Sequence, residues 1–121
     1  MKIAVTAMES DLDGPVSSRF GRAPFFLLLD SESGQMIESI ENPNESVGGG
    51  AGVQSSQLLA DKGVEIVLTG NCGPKAFQVF NAAGIDICTG ASGTVAEALE
   101  EFKAGRISKT ESANVQGHFG V

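Results

Sequence analysis

Apolar and polar positions divide this chain into short strands and amphipathic helices. Ile3, Val5 and Ala7 alternate with Lys2, Ala4 and Thr6, the period of a strand. Residues 25–29 form an unbroken apolar run, Phe-Phe-Leu-Leu-Leu, which predicts a strand covered on both faces. A more polar strand over 35–41 follows the Ser31-Glu32-Ser33-Gly34 turn and stops before Asn42-Pro43. β-Branched runs at 64–68 and 85–88 predict two further strands. Elsewhere the spacing becomes helical. Residues 53–62 offer Leu58 and Leu59 for burial, and residues 74–83 start on Pro74 and send Phe77 and Phe80 to a core. A third helix carries Val95, Leu99 and Phe102, and its start, Thr94-Val95-Ala96-Glu97, has the form of a capping box. Gly63, Gly84 and Gly105 close the three helical patterns at equal spacing, as helix stop signals.

The resulting order, βββαβαβα, restricts the topology. Three strands joined by short links form an antiparallel meander, and right-handed crossovers add the fourth and fifth in parallel. With the fourth beside the first, the sheet is a five-stranded mixed sheet of order 3-2-1-4-5, and the fold class is α/β. One domain over residues 1–105 is expected, with a polar tail over 106–121 that covers an edge or is mobile. A crevice forms at the switch point between the first and fourth strands.

Four connecting segments meet at that edge: residues 9–24, 42–52, 69–74 and 89–93. Two of them repeat one motif, Thr69-Gly70-Asn71-Cys72-Gly73 and Thr89-Gly90-Ala91-Ser92-Gly93, each between a strand and a helix. Glycines permit close backbone approach, and fresh helix N-termini offer N–H groups and a positive dipole end. With Arg19, Arg22 and Lys75 nearby, the turns read as a cradle for an anion. The plainer alternative is that any βα protein needs glycine turns.

Bulk chemistry narrows the classes. The 121 residues suffice for a packed core without staples. Net charge is −7, with 15 acidic against 8 basic residues, and no basic stripe for nucleic acid is present. No apolar run reaches membrane-span length and the start enters a strand directly, so no membrane partner and a cytoplasmic location are expected. The 48–52 loop lacks the Lys-Ser/Thr of a phosphate-binding loop. The first strand offers Ala4, Val5 and Thr6 where a metal-dependent nuclease needs a central acid, while Asp30, Glu38, Glu41 and Asp86 are scattered. Catalysis is therefore not expected.

Individual residues keep two readings each. Cys72, at a helix start with Lys75 one turn on, is either an activated thiolate that binds metal or a small residue packed beneath the turn. Cys88 reads as a buried core thiol, with a switchable Cys72–Cys88 disulfide as the minor alternative. Arg19 and Arg22 either grip a ligand or pair with Asp11 and Asp13. Phe20 is core or ligand wall. His118 is a solvated tail histidine, or a metal ligand if the tail folds over the site. The polar third strand reads as an edge, where pairing makes a weak homodimer; otherwise the chain is a monomer.

Three motifs in order, Ser18-Arg19-Phe20-Gly21-Arg22-Ala23-Pro24-Phe25-Phe26, the 48–52 glycine loop, and Leu68-Thr69-Gly70-Asn71-Cys72-Gly73-Pro74-Lys75-Ala76-Phe77, resemble the dinitrogenase iron–molybdenum cofactor family. That family includes NifX-type carriers, the C-terminal part of NifB proteins, and orange proteins that bind a molybdenum–copper–sulfide cluster. The resemblance implies a ribonuclease H-like fold and non-covalent binding, storage or delivery of a molybdenum-containing metal–sulfur cluster (Mo-Fe-S or Mo-Cu-S), exchanged with cluster-donor or acceptor proteins. It carries over Arg19, Phe20, Gly21 and Arg22 as a gripping loop and Gly50 and Gly52 as close-approach backbone. Gly70, Asn71, Cys72 and Gly73 become the central cradle, with Lys75 and Ser92 at its margin. The other reading is an interaction or regulatory module of the same fold without a cluster.

Overall fold

The computed structural model describes residues 1–43, 51–107 and 109–110. Its strands are β1 (Lys2–Ala7), β2 (Phe25–Asp30), β3 (Met36–Glu41), β4 (Ile66–Leu68) and β5 (Asp86–Cys88). The helices are α1 (Ala51–Asp61), α2 (Pro74–Ala83) and α3 (Val95–Lys103). The sheet runs β3-β2-β1-β4-β5, antiparallel between the first three strands in sequence and parallel from β1 to β4 to β5, as expected. The parallel strands are shorter than their β-branched runs, because Val64, Glu65 and Ile85 are lead-in residues. Glu65 still donates to the Lys2 carbonyl at 2.9 Å.

Alternation of side chains sorts the core into two layers. Ala4, Phe26, Leu28, Val67 and Ile87 face α1 and α2, whose Leu59, Phe77 and Phe80 fill that side. Ile3, Val5, Leu27, Leu29 and Leu68 face α3 through Val95, Ala98 and Leu99. Thr6, on the polar phase of the first strand's pattern, is also fully buried, since β1 is the central strand and both its faces are covered. The helix stops are as expected: Gly63, Gly84 and Gly105 have φ of 78°, 76° and 78°, which L side chains rarely adopt. The capping box is present too, with Thr94 Oγ1 accepting from Glu97 N–H and Glu97 Oε1 accepting from Thr94 N–H.

The edges are managed differently. At β3 the register shifts between Leu28 and Leu29, which pair with Glu38 and Met36 and leave Ile37 as the extra residue of a bulge. A bulge flanked by Glu38 and Glu41 discourages another strand from pairing there. Along β5, Thr110 N–H donates to the Ile87 carbonyl (2.7 Å), its hydroxyl accepts from Thr89 N–H (3.0 Å), and Lys109 pairs with Asp86 (3.3 Å). Residues 109–110 thus cover the free side of β5. Two features escaped the pattern: a 3-10 turn at Phe20–Arg22, and a hairpin over 8–15 that returns to β1 through the Ala7–Val16 bridge.

Candidate functional site

The connections after β1, β4 and β5 share one rim at the C-terminal end of the parallel strands, and hydrogen bonds tie them together. Gly90 N–H donates to the Gly70 carbonyl (2.9 Å), Ala91 to Thr69 (3.1 Å), Gly70 to Ser17 (3.4 Å) and Phe20 to Asn71 (3.0 Å). Beneath them, Thr6 Oγ1 donates to the Ser17 carbonyl (3.1 Å) and lies 2.9 Å from the Thr69 hydroxyl. Asn42 joins from the end of β3, its amide donating to the Ala23 carbonyl (2.8 Å) and accepting from Ser55 on α1 (3.3 Å). Thr6, Ser17 and Asn42 were missed by sequence reasoning. Nothing local marks them, because their role comes from strands and loops that meet only in the fold.

The two glycine turns share a motif but not an environment. The expectation of open N–H groups at both fails for the second. Val95 N–H donates to Gly14 O and Ala96 N–H to Leu12 O, both at 3.0 Å, while Thr94 and Glu97 satisfy each other in the capping box. The 8–15 hairpin therefore stoppers the α3 N-terminus. Ser92, exposed there, lines a shallow groove with Gly93, Ala96, Glu97, Glu100 and Glu101, an acidic setting.

The α2 N-terminus is different. Gly73 is its N-cap without a side-chain cap, Pro74 takes the first position, and no acidic residue sits in the first turn. Phe77 N–H bonds to the Gly73 carbonyl at 3.1 Å, but among the described residues nothing accepts from the N–H groups of Gly73, Lys75 or Ala76. A Cβ on Gly73 would meet nothing within 4 Å. Exposed Lys75 stands in this turn, and exposed Arg19 and Arg22 stand in the loop clasped to Asn71. The anticipated pairing of Arg19 with Asp11 or Asp13 does not occur; among the described residues Arg19 forms no salt bridge. Asp11 and Asp13 belong to the hairpin on the α3 side, whose Leu12 packs with that core layer. Cations thus gather on the α2 side and carboxylates on the α3 side.

Several of the expected site residues have structural roles of their own. Gly70 is small for the sake of the protein's own backbone: a Cβ there would lie 2.8 Å from both Cα and O of Ser18. Phe20 is core rather than ligand wall, 2% exposed, stacked on Phe26 (centroids 5.4 Å apart) and edge-on to Phe80 (5.1 Å). Only its backbone belongs to the loop. Gly21 lends its carbonyl to the Asn42 amide at 3.5 Å. Gly52 falls in the first turn of α1, whereas Gly50 and His118 lie outside the described residues.

Of the two readings of Cys72, its placement matches the small residue packed beneath the turn. Its side chain turns inward, 1% exposed, with Sγ 3.6 Å from the Gly73 carbonyl. Burial pushes the thiol up from an ordinary 9.0 to about 12. Cys88 is pushed up to about 11, by burial first and the Asp86 charge second. The two thiols occupy opposite core layers and neither forms a disulfide. Among the described residues no group of three His, Cys, Asp or Glu could hold a metal ion. Because both folded pKa values are raised, the thiols' contribution to stability is complete below about pH 9 and is lost as pH climbs through 11 to 12. Alkylation by iodoacetamide at pH 8 should run at least about 100-fold slower in the folded protein than in the urea-unfolded chain. Equal rates would contradict buried, protonated thiols.

Residues 1–105 match the family model described as dinitrogenase iron-molybdenum cofactor. An uncharacterized protein of Methanocaldococcus jannaschii is 34% identical over 113 residues, 92% of each chain. The apo form of the orange protein from Desulfovibrio gigas is 39% identical with a TM-score of 0.88, over 93% of this chain and 95% of that one. A Thermotoga protein assigned to the DUF35 family is 37% identical with a TM-score of 0.77, over 89% and 91%.

Proposed function

The chain belongs to the dinitrogenase iron–molybdenum cofactor family, and from that membership we propose that it carries an anionic, molybdenum-containing metal–sulfur cluster at the α2 N-terminus. The cluster is cargo, held without covalent bonds and released to an acceptor protein. The observation that carries this reading is the uncapped start of α2: donor N–H groups with no protein acceptor among the described residues, beside Arg19 and Lys75. Cluster sulfides accept hydrogen bonds from backbone amides and guanidinium groups, and the dipole end adds about half a positive charge. The acidic remainder of the rim opposes an anion, which favours the α2 turn over the α3 turn.

Recognition of this kind suits a cluster whose metals are already fully coordinated by sulfide. The Cys72 side chain faces inward and is 1% exposed, so we assign recognition to the N–H groups and cations of the rim. The cargo is then of the molybdenum–copper–sulfide or molybdenum–iron–sulfur type, and the protein acts as a carrier rather than as a catalyst. No helix among the described residues is long and apolar enough to cross a membrane; we place the carrier and its donor and acceptor proteins in the cytoplasm.

Reconstitution tests the reading. Incubation with tetrathiomolybdate plus copper, or with preformed iron–molybdenum cofactor, should yield a visible chromophore that co-elutes with the protein. The chromophore should wash off more readily at high salt, because exposed cations are screened. A colourless protein fraction in both trials would remove the proposal.

A further inference from the structure

Arg19 combines an exposed head, without a salt bridge among the described residues, with a backbone tied down on every side. Its own N–H donates to the Ser17 hydroxyl (3.4 Å), which in turn donates to the Arg19 carbonyl (3.2 Å). The carbonyl just before it, on Ser18, accepts from the Asn71 side-chain amide at 2.9 Å. The N–H just after it, on Phe20, donates to the Asn71 carbonyl at 3.0 Å. Asn71 therefore holds both peptide planes that flank the Arg19 Cα, in an extended conformation with φ −132° and ψ 122°. Contact between Gly70 and Ser18 leaves the loop no room to settle closer.

We infer that Asn71 is a positioning residue for cargo binding, acting through Arg19 instead of touching the cargo with its own amide. This rests on the carrier reading above. A loop ordered on folding does not have to be ordered again on binding, so a clasp that aims the guanidinium beforehand strengthens capture without adding a contact. Asparagine suits the task because its side-chain amide donates to the Ser18 carbonyl, a bond that alanine and aspartate cannot make; the Phe20 N–H bonds to the Asn71 backbone carbonyl, which any residue supplies.

A double-mutant cycle tests the assignment, with tetrathiomolybdate plus copper as the probe and visible absorbance as the readout. Asn71→Ala should weaken binding about ten-fold when Arg19 is present, and by less than about two-fold in an Arg19→Gln background. Ser17→Ala, which loosens the same backbone from the other side, should show the same dependence on Arg19. In ligand-free protein, amide exchange at Arg19, whose peptide plane the Asn71 side chain holds through the Ser18 carbonyl, should accelerate in Asn71→Ala while the melting temperature confirms a folded chain. Equal losses in both backgrounds would overturn the positioning role, as would unchanged exchange at Arg19. A parent protein that fails to bind the probe would instead overturn the carrier reading itself, a separate and recognisable outcome.

Discussion

Gly70→Ala should melt about 10 °C below the parent, a loss of roughly 2–3 kcal/mol for a domain of this size. The added Cβ would stand 2.8 Å from Ser18 Cα and O and 3.1 Å from its carbonyl carbon. All three atoms are backbone, so no rotamer change relieves the overlap. The loop must lift, and with it go the bonds from Gly70 to Ser17, from Phe20 to Asn71 and from Asn71 to Ser18. Cargo capture should fall in parallel, because Arg19 rides on that loop. Gly73→Ala is the matched control. Gly73 has φ −78°, open to any residue, and its Cβ would meet nothing within 4 Å. Its stability should stay within about 0.5 kcal/mol of the parent, while the new methyl group stands in the space proposed for the cargo and weakens binding. Thermal melts followed by circular dichroism decide the matter. A Gly70→Ala melt within about 2 °C of the parent would mean that the crossing is not tight.

Phe20→Ala should cost about 3–5 kcal/mol. The ring is buried between Phe26 and Phe80, stacked on one and edge-on to the other, so its removal leaves a cavity under the loop that carries Arg19 and Arg22. Phe20→Leu refills part of that volume and should recover about half of the loss. Denaturant titration measures both. The leucine variant also discriminates between two roles for the aromatic ring. As a floor beneath the loop, Phe20 tolerates leucine with cargo affinity within a few-fold of the parent. A folded Phe20→Leu protein that no longer takes up the chromophore would make the ring a wall of the site after all.

Both variants bear on why the twin Thr-Gly-x-x-Gly turns differ. Locally they are alike: a strand end, two glycines and a helix start. In one, the N–H groups of Gly73, Lys75 and Ala76 meet no acceptor among the described residues, and the other is closed by Leu12 and Gly14 carbonyls from a hairpin distant in sequence. The same cause separates Arg19 from Asp11. They lie close together in the chain, yet the 3-10 turn packs on the α1 and α2 layer and the hairpin packs on the α3 layer. Cys72 shows the limit of local reasoning most plainly. A thiol at a helix start beside a lysine is activated when its side chain points outward, and in this fold it points into the core.

Strand and helix identity, the 3-2-1-4-5 order and the helix ends were determined by the sequence alone. They rest on the period of apolar positions, on glycines that take left-handed φ, on a capping box and on short connections, all of which act over a few residues. Only the tertiary structure decided which turn stays open, which way Cys72 faces, and that Gly70, Asn71, Ser17 and Thr6 are joined in a clasp. Those outcomes depend on contacts between segments far apart in the chain, where burial and competition for each hydrogen-bond donor settle what a local motif leaves undetermined.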